Sequence, residues 1–460
     1  MVFTDLTFLF GFLPVAWLLY PFVAKSRLAN LYLLIASLIF YSWGGLSNLA
    51  LLVLILVWNY LAARRIGMEP DSEKRKKILI LSVVVDLAVL FFYRYLGVWF
   101  GAFSSTLANL PHKMPIGLSF YLFSCLSCLF DVAASRCQAP SSLVDFGIFA
   151  AFFGRVNMGP IGHYARFAEQ FTHHPVTRTK SAQGMSLFLQ GLFRKVILAD
   201  NFALLYGALN SNTTWLGNLL LGFAYFFQLY FDFSGYSRMA RGVALLFGFQ
   251  IDPNFNLPYM ATSVQDFWRR WHISLTDWFR EYVYIPLGGN RVSINRWRIN
   301  ILCVWLLTGL WHGATWPFIV WGLFQGGLIL LEKAYLKARL KKLPVVISHI
   351  YLILTQLIGW TFFSSPTLVL AVRRIGRYFA IGISGFADAA ATFELLGNLG
   401  LFLLAILLAT GLSVLLAQGI KKQLKSKWQF WNTLGWLGIF VVCIAFLIFA
   451  TAKTFLYAAF

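Results

Sequence analysis

The chain has 460 residues, of which 59% are hydrophobic, 18% aromatic and only 12% charged, and its mean hydropathy is +0.71. These values exclude an ordinary soluble globular protein, in which about half of the residues are apolar and about a quarter are charged. The formal net charge is +21, but the basic residues concentrate in short loops, which indicates a protein surrounded by membrane lipids rather than a nucleic-acid binder.

Apolar segments that approach the length of a membrane span follow one another along the chain. A spanning helix needs about 20 mostly apolar residues. Several segments are too short or too rich in glycine and proline to cross a bilayer simply. We therefore predict an all-α integral membrane protein with about 11 transmembrane spans plus re-entrant and interfacial helices, forming one domain over residues 1–460. The segments are 6–24, 28–44, 46–63, 78–97, 115–134, 143–158, 184–206, 215–231, 235–250, 299–312, 315–335, 345–363, 393–418 and 432–450.

The positions of lysine and arginine predict the orientation of these spans. Basic residues cluster at 25–27, 64–77, 333–342 and 421–427, and cytoplasmic loops carry such an excess. Counting crossings from these loops puts both the N-terminus and the C-terminus outside the cytoplasm. A basic group at 373–377 falls on the outer side in this scheme, so we expect it on a helix that lies along the membrane surface.

The polar stretch 251–298 is rich in arginine and tryptophan. Between residues 265 and 284, large apolar side chains recur with helical spacing at positions 268, 271, 275, 278, 279 and 282. Arg269, Arg270 and Arg280 fall on other faces, so the pattern predicts one basic amphipathic helix at the membrane interface. Two interpretations stay open: the helix is an interfacial anchor, or its arginines bind the phosphates of a donor, because guanidinium groups suit phosphate oxygens.

Two histidines and one aspartate interrupt aromatic and apolar sequence. His272 ends the run Asp-Phe-Trp-Arg-Arg-Trp-His, His312 lies in Leu-Trp-His-Gly-Ala, and Asp232 lies in Tyr-Phe-Asp-Phe-Ser-Gly-Tyr. An ionisable group inside a membrane is a candidate functional group because burying it is costly, and imidazole is the side chain suited to moving protons near pH 7. A hydrogen-bonded core histidine at 312 and a structural ion pair at 232 are the competing interpretations.

The pair Cys125 and Cys128 has the spacing of a metal or redox motif. It lies in Phe/Leu-rich sequence and no second pair follows it, so we predict two buried small residues and no metal site. The sequence also contains no nucleophile elbow, phosphate-binding loop, zinc motif or dinucleotide fingerprint. Chemistry built on histidine, without a metal or a bound cofactor, is therefore the expectation.

Four motifs resemble those of a known family. They are residues 230–236 (Tyr-Phe-Asp-Phe-Ser-Gly-Tyr), 266–276 (Asp-Phe-Trp-Arg-Arg-Trp-His-Ile-Ser-Leu-Thr), 284–291 (Tyr-Ile-Pro-Leu-Gly-Gly-Asn-Arg) and 309–313 (Gly-Leu-Trp-His-Gly). Together they resemble the membrane-bound O-acyltransferases (MBOAT), and above all their bacterial alginate O-acetyltransferase branch. Further similar segments at 115–121, 158–161 and 193–201 extend the resemblance along nearly the whole chain.

The resemblance implies an MBOAT-type multi-helix bundle with a central tunnel in the cell inner membrane. An acyl donor, expected to be acetyl-CoA, would enter from the cytoplasm. The acyl group would be delivered outside for O-acetylation of a polysaccharide, with an SGNH-type acetyltransferase as the extracytoplasmic partner. The catalytic histidine of the family corresponds to His312 and its second histidine to His272, so the resemblance implies that both are catalytic residues. In this arrangement we expect substrate or donor binding by Asp232, Arg269, Arg270 and Arg280.

The segment 455–460 (Phe-Leu-Tyr-Ala-Ala-Phe) resembles a Phe-x-Tyr-x-x-Phe pattern that is associated with acyl relay in related export systems. Tyr457 would accept the acyl group near the histidine and pass it to the outside transferase. The alternative is a tyrosine of the aromatic belt that ends the last span.

Two other functions are compatible with the sequence. D-alanyl transfer to teichoic acid would use a thioester on a carrier protein as donor instead of acetyl-CoA. A transporter of a lipid-linked substrate would use the same broken helices and membrane acids. It would move its substrate without acyl chemistry and would need no base at His312.

Overall fold

The chain forms helices and connecting loops throughout the part that can be described. The computed structural model describes residues 1–26, 28–100, 114–171, 174–340, 342–449 and 455–456. Within those ranges there is no β-strand, which confirms the predicted all-α class. Tyr457 lies outside the described residues, so its role in acyl relay stays a prediction.

Two compact units divide the chain, and their segments alternate along the sequence. The first comprises Met1–Gly191 and Tyr236–Pro253, together with Phe455 and Leu456. The second comprises Leu192–Gly235 and Asn254–Phe449. The second unit therefore contains every predicted site residue that the structure describes: Asp232, Arg269, Arg270, His272, Arg280 and His312.

The first unit consists of apolar helices joined by short loops. Ser142 begins α7 because its hydroxyl accepts hydrogen bonds from the backbone N–H groups of Val144 and Asp145, which a helix N-terminus otherwise leaves unsatisfied. Cys125 and Cys128 on α6 are fully buried, as predicted. In chain order the unit contains a π-helical turn (Phe8–Phe12), α1 (Leu13–Val23), α2 (Ala29–Ser42), α3 (Leu46–Met68), α4 (Ser72–Arg94), α5 (Leu96–Phe100), α6 (Leu118–Ala133), α7 (Leu143–Ala151), α8 (Tyr164–Phe167), a 3-10 turn (Ala168–Phe171) and most of α9 (Arg178–Phe193).

Aromatic rings form part of the core of this unit. Phe3 stacks on Tyr236 with ring centroids 4.8 Å apart, and Phe455 meets the same tyrosine edge-to-face at 5.1 Å. Phe3 and Phe455 are both buried. A ring from near each end of the chain thus packs against Tyr236.

The second unit contains most of the helices that matter for the site. In chain order they are a π-helical turn (Arg194–Ala199), α10 (Asp200–Leu209), α11 (Trp215–Leu246, whose residues from Tyr236 belong to the first unit), a 3-10 turn (Pro258–Met260), α12 (Val264–Arg270), α13 (Ile273–Phe279), a π-helical turn (Arg280–Tyr284), α14 (Ile294–His312), α15 (Trp316–Leu331), a π-helical turn (Glu332–Leu336), α16 (Lys337–Leu340), α17 (Val345–Ser364), α18 (Leu368–Tyr378), α19 (Ala389–Gly397), α20 (Leu399–Ala409), α21 (Leu412–Leu424), a 3-10 turn (Lys425–Lys427) and α22 (Trp428–Phe449).

Four helices among the described residues are long and apolar enough to cross a membrane. They are α3, α15 with its π-helical extension, α17 and α22. The pair α19 and α20, bent by 53° at a short break, would make a fifth if it is one span. Shorter apolar stretches include Phe8–Val23, Ala29–Ser42 and Leu118–Ala133. A multi-helix membrane protein is therefore confirmed, and the number of about 11 spans stays a prediction.

Two predicted boundaries are wrong. The segments 215–231 and 235–250 were expected to be separate, but α11 runs through both as one helix of 32 residues. The glycine at 235 does not end it, because a helix interior tolerates a glycine at a cost of about 1 kcal/mol. Conversely, the segment 393–418 is divided among α19, α20 and α21, and the positive φ of 77° at Gly411 marks one of the breaks.

The helix predicted for residues 265–284 is also wrong in its continuity. It is broken into α12, α13 and a π-helical turn, with His272 in the left-handed region at φ 45° between the first two. The predicted apolar stripe is nevertheless correct, because each of its members is buried: Trp268, Trp271, Leu275, Trp278, Phe279 and Tyr282. Periodicity identified the buried face but could not detect a turn that keeps that face in register.

Two glycines let α14 and α15 approach until their backbones touch. A Cβ atom on Gly322 would lie 2.4 Å from the carbonyl oxygen of Trp305 and 3.1 Å from the Cα of Gly309. A Cβ atom on Gly309 would lie 2.5 Å from the carbonyl oxygen of Phe318. Small residues at such crossings are typical of membrane helices, where close packing replaces the hydrophobic driving force.

We expect the Gly322→Ala variant to lose about 1–3 kcal/mol of stability, because the added methyl group must push two backbones apart. Gly327→Ala on the same helix is the matched control. No atom lies within 4 Å of its Cβ position, so alanine there is expected to be neutral or slightly stabilising. Thermal unfolding in detergent measures both, and equal melting temperatures for the two variants would contradict the close crossing.

Candidate functional site

His312 is the last residue of α14 and is buried, with 2% of its surface exposed. The helix ends there because Gly313 turns to an extended conformation, while its N–H still bonds to the carbonyl oxygens of Gly309 and Leu310. The negative end of a helix dipole favours a positive charge, typically by 0.3–1 kcal/mol at exposed sites and more where water is excluded. The carbonyl end of α14 lies beside the His312 imidazole.

Aromatic rings enclose the His312 imidazole. The ring of Trp321 meets it edge-to-face at 5.0 Å between centroids, and the ring of Phe363 does so at 4.9 Å. The neighbouring Trp311 lies at 4.7 Å. Trp321, Phe363 and Trp311 are themselves buried. Electrostatic interactions are stronger in such a water-poor setting than in solution.

His272 occupies the sharp turn between α12 and α13. Asn254 holds this turn: its carbonyl oxygen accepts from the N–H of Ile273 at 3.0 Å, and its side-chain oxygen accepts from the N–H of Ser274 at 3.0 Å. A positive φ in a residue other than glycine costs on the order of 1–3 kcal/mol and tends to occur at functional sites. Burial lowers the pKa of His272 from 6.5 to about 3, so its imidazole is neutral at physiological pH.

The fold brings both histidines into contact with one indole. Trp311 lies 4.7 Å from the ring of His312 and 5.9 Å from the ring of His272. Phe233 packs edge-to-face on His272 at 4.6 Å. The sequence left open whether the two histidines meet, and the structure places them in one aromatic cluster within the second unit.

Asp232 lies in a buried ion-pair network, and its partner in that network is a residue that the sequence did not identify. The ammonium group of Lys195 lies 2.7 Å from a carboxylate oxygen of Asp232 and 2.7 Å from one of Asp200. Lys195 and Asp232 are buried, and removal of one partner from such a pair is strongly destabilising. This geometry agrees with the structural interpretation of Asp232, and substrate binding by Asp232 stays a prediction. The presence of Lys195 inside the apolar segment 184–206 was the sequence feature that could have indicated this ion pair.

The three arginines expected to bind the donor have different surroundings. The Nε of Arg270 donates to Asp266 at 3.0 Å, and Arg280 lies 3.0 Å from Asp277. Both pairs are partly exposed and therefore contribute little to stability. Arg269 is exposed and lines a pocket of about 330 Å³. The pocket is lined by Thr262, Ser263, Gln265, Asp266, Arg269, Glu332, Leu340, Leu343, Val345 and Ser348.

Glu332 fixes the start of α12 and is a second residue that sequence reasoning missed. Its carboxylate accepts hydrogen bonds from the N–H groups of Val264 at 2.6 Å and Gln265 at 2.9 Å. The hydroxyl of Tyr351 donates to it at 3.2 Å. A buried acid at a helix N-terminus satisfies orphan N–H groups and interacts favourably with the helix dipole. The sequence feature that could have identified Glu332 was its position as an acid inside the apolar segment 315–335.

Residues 9–371 match the family model of the membrane-bound O-acyltransferases, MBOAT. The chain belongs to this family. It is 38% identical to the probable alginate O-acetylase AlgI of Azotobacter vinelandii over 397 residues, which cover 83% of this chain and 79% of that protein. The resemblance of the motifs to this family is thus confirmed, and the protein is an O-acyltransferase.

Two further relatives of this MBOAT protein differ in how much of it they match. The peptidoglycan O-acetyltransferase of Helicobacter pylori is 33% identical over 419 residues, covering 81% of this chain and 79% of that protein. The teichoic acid D-alanyltransferase of Bacillus subtilis is 28% identical over 242 residues, covering 48% of this chain and 60% of that protein. The similarity to the acetyltransferases therefore extends over more of the chain.

The low pKa of His272 in this MBOAT protein predicts a pH dependence of stability. As pH falls below the ordinary value of 6.5, the unfolded chain binds a proton that the folded protein does not bind until about pH 3. Stability is therefore lost in this window, by about 2 kcal/mol between pH 7 and pH 5. We expect His272→Asn, which tolerates the positive φ and does not titrate, to lose about 2 kcal/mol less over that range. Equal pH slopes of the unfolding free energy in detergent would contradict a neutral His272.

Proposed function

We propose that this O-acyltransferase takes an acetyl group from acetyl-CoA at the cytoplasmic face of the inner membrane for O-acetylation of an extracytoplasmic polysaccharide. His312 is the catalytic base in this proposal. The proposal rests on the position of His312, a buried imidazole at the C-terminal end of α14 that is surrounded by aromatic rings. The similarity to an alginate O-acetylase over 83% of the chain supports the acetyl group and the polysaccharide.

His312 would accept the proton of an acceptor hydroxyl while the oxygen of that hydroxyl attacks the thioester carbonyl carbon. The imidazolium formed there would be stabilised by the end of α14. It then returns the proton to the leaving thiolate as the carbon–sulfur bond breaks. General acid–base help of this kind contributes typically 10²–10⁴-fold to a rate. The hydroxyl belongs to the relay Tyr457 or to a later acceptor.

His272 has a positioning role in the proposal. Burial keeps the His272 imidazole neutral near pH 7, and its ring lies 5.9 Å from that of Trp311. It packs against the indole that also contacts His312. The sharp turn at His272 also sets where Arg269 and Arg270 emerge from α12 relative to the aromatic cluster.

Donor entry is proposed at the pocket that Arg269 lines. Leu340 in the wall of the pocket belongs to the basic loop 333–342, which the charge distribution predicts to be cytoplasmic. The two carboxylates in the wall are engaged, Asp266 by Arg270 and Glu332 by backbone N–H groups. Arg269 is therefore the residue whose charge we assign to the CoA phosphates.

We expect Arg269→Gln to raise the KM for acetyl-CoA roughly tenfold with little change in kcat, because it removes one charge-assisted contact to phosphate, worth about 1.5–3 kcal/mol. Arg280→Gln, whose arginine lies beside Asp277, is the comparison and should change KM less. Initial rates in lipid nanodiscs measure both. An unchanged KM in Arg269→Gln would remove this pocket from the proposal.

The destination of the acetyl group defines the proposed partners. Delivery to a polymer outside the membrane requires an outward-facing acceptor, for which we propose the SGNH-type acetyltransferase. D-alanyl transfer is the second candidate within the family, but the D-alanyltransferase relative matches only 48% of the chain. The two differ in donor, free acetyl-CoA against an aminoacyl thioester on a carrier protein.

The decisive variant is His312→Ala, assayed in nanodiscs with radiolabelled acetyl-CoA. We expect transfer to fall by at least 10²-fold, because the general base is removed, while expression and melting temperature are kept. His349→Ala is the matched control: His349 bonds through Nδ1 to the carbonyl oxygen of Ala261 at 3.1 Å and has no role in the proposal. Label retained on wild type but lost in Tyr457→Phe would additionally support the relay.

Retained transfer in His312→Ala would remove the catalytic assignment. Transfer only from a carrier protein that bears a D-alanyl thioester would favour D-alanylation. Substrate movement across the bilayer, without transfer from either donor, would favour the transporter.

A further inference from the structure

Two neighbouring helices face each other with the same pair of side chains. Trp321 and Gln325 lie one helical turn apart on α15, and Gln356 and Trp360 lie one turn apart on α17. The two indoles stack at 6.0 Å between centroids with 22° between their planes. The amide of Gln325 donates to the side-chain oxygen of Gln356 at 3.3 Å. All four side chains are at most 1% exposed.

A third tryptophan sets the direction of this hydrogen-bond chain. The indole Nε1 of Trp268 donates to Oε1 of Gln325 at 3.0 Å. An indole can only donate, so the oxygen of Gln325 must face Trp268 and its nitrogen must face Gln356. The oxygen of Gln356 accepts that bond, which leaves its Nε2 as the donor at the end of the chain. The orientations of both amides thus follow from the Trp268 indole, which can only donate.

Three buried N–H donors in this cluster have no hydrogen-bond acceptor among the described residues. They are Nε1 of Trp321, Nε1 of Trp360 and Nε2 of Gln356. Burying a donor without an acceptor costs free energy, and native proteins rarely retain such groups without a reason. Three such donors lie together on two facing helices. We infer that a bound ligand supplies their hydrogen-bond acceptor.

The cluster is adjacent to His312. Trp321 lies 5.0 Å from the imidazole, and Phe363 touches the rings of His312, Trp321 and Trp360 at 4.9, 5.2 and 5.7 Å. The absence of a side chain at Gly359 lets these polar groups approach the α17 backbone, because a Cβ atom there would lie 2.6 Å from Nε2 of Gln325 and 3.7 Å from Nε1 of Trp321. Trp321 therefore lies directly beside the proposed base, and Phe363 contacts the rings of both His312 and Trp360.

Resting on the proposed function, we propose that Trp321, Trp360 and Gln356 form the binding site for the carbonyl oxygen of the acyl group during transfer. The donors are uncharged, which suits a thioester carbonyl rather than a phosphate or carboxylate. When the acceptor oxygen bonds to the carbonyl carbon, the π electron pair of the C=O bond moves onto oxygen, and the N–H groups stabilise that charge. When the carbon–sulfur bond breaks, its electron pair leaves with sulfur, the C=O bond re-forms, and His312 returns the proton to the thiolate.

The test replaces the indole of Trp321 or Trp360 by its benzothiophene analogue, in which sulfur takes the place of N–H and the shape is kept. We expect kcat to fall by about 10²–10³-fold, the usual loss when one oxyanion donor is removed. The KM for acetyl-CoA should stay within about twofold. The melting temperature should be unchanged or higher, because an unsatisfied buried donor has been removed. A merely structural indole would lower stability without changing kcat selectively.

Gln356→Glu provides a second variant, since it keeps an oxygen for the Gln325 bond and replaces the terminal donor by an acceptor. It should lower kcat at least as much as either indole replacement. The same benzothiophene replacement at Trp305 is the matched control. Its ring contacts Trp268 and Trp321 at 4.7 and 6.2 Å, and it has no role in either proposal, so kcat should not change.

The outcomes separate the two proposals. If wild type transfers acetyl groups, and the Trp321 and Trp360 analogues keep the wild-type kcat, the carbonyl site is overturned and the proposed function stands. If wild type uses only a carrier-protein thioester, the choice of donor is wrong. The same kcat losses measured with that donor would then support the carbonyl site. If wild type transfers from neither, both proposals fail.

Discussion

The backbone contact between α14 and α15 is the constraint on which the histidine site depends. Gly322 faces the carbonyl oxygen of Trp305, and Gly309 faces that of Phe318, at separations that leave no room for a side chain. The crossing brings the end of α14, with His312, against Trp321 on α15. It also fixes the face that α15 presents to α17, where Trp321 and Gln325 contact Trp360 and Gln356. The positions of His312 and of the neighbouring Trp321 thus follow from one contact between two glycines.

The buried charged groups of the second unit differ in their hydrogen bonding from the three neutral donors of the tryptophan–glutamine cluster. Its buried charges have close partners: Lys195 contacts two carboxylates, Glu332 accepts from two N–H groups at the start of α12, and Arg374 donates to Asn210 and Tyr206. The donors of Trp321, Trp360 and Gln356 are neutral and have no acceptor among the described residues. Pre-oriented dipoles of this kind suit a substrate that is neutral when bound and becomes charged only in the transition state.

The sequence predicted more about which residues are buried than about where helices end. Every member of the apolar stripe from Trp268 to Tyr282 is buried, because helical periodicity reports on the face that packs. The break at His272 was not predictable from periodicity, because two short helices and a turn can present the same stripe. Contacts from Asn254, which lies in another segment of the chain, hold that turn. The joining of two predicted segments into α11 was missed for a different reason, since the glycine at 235 does not end the helix.

By itself the sequence determined the class of protein, the family through its motifs, and the two histidines as candidates for chemistry. These properties depend on composition and on patterns within a few residues, which a linear chain displays directly. Only the tertiary structure decided that Trp311 contacts both His272 and His312, that Lys195 pairs with Asp232, and that tryptophan–glutamine pairs on α15 and α17 face each other. Such pairings depend on the register between distant helices, and that register is set by packing contacts such as the crossing at Gly309 and Gly322.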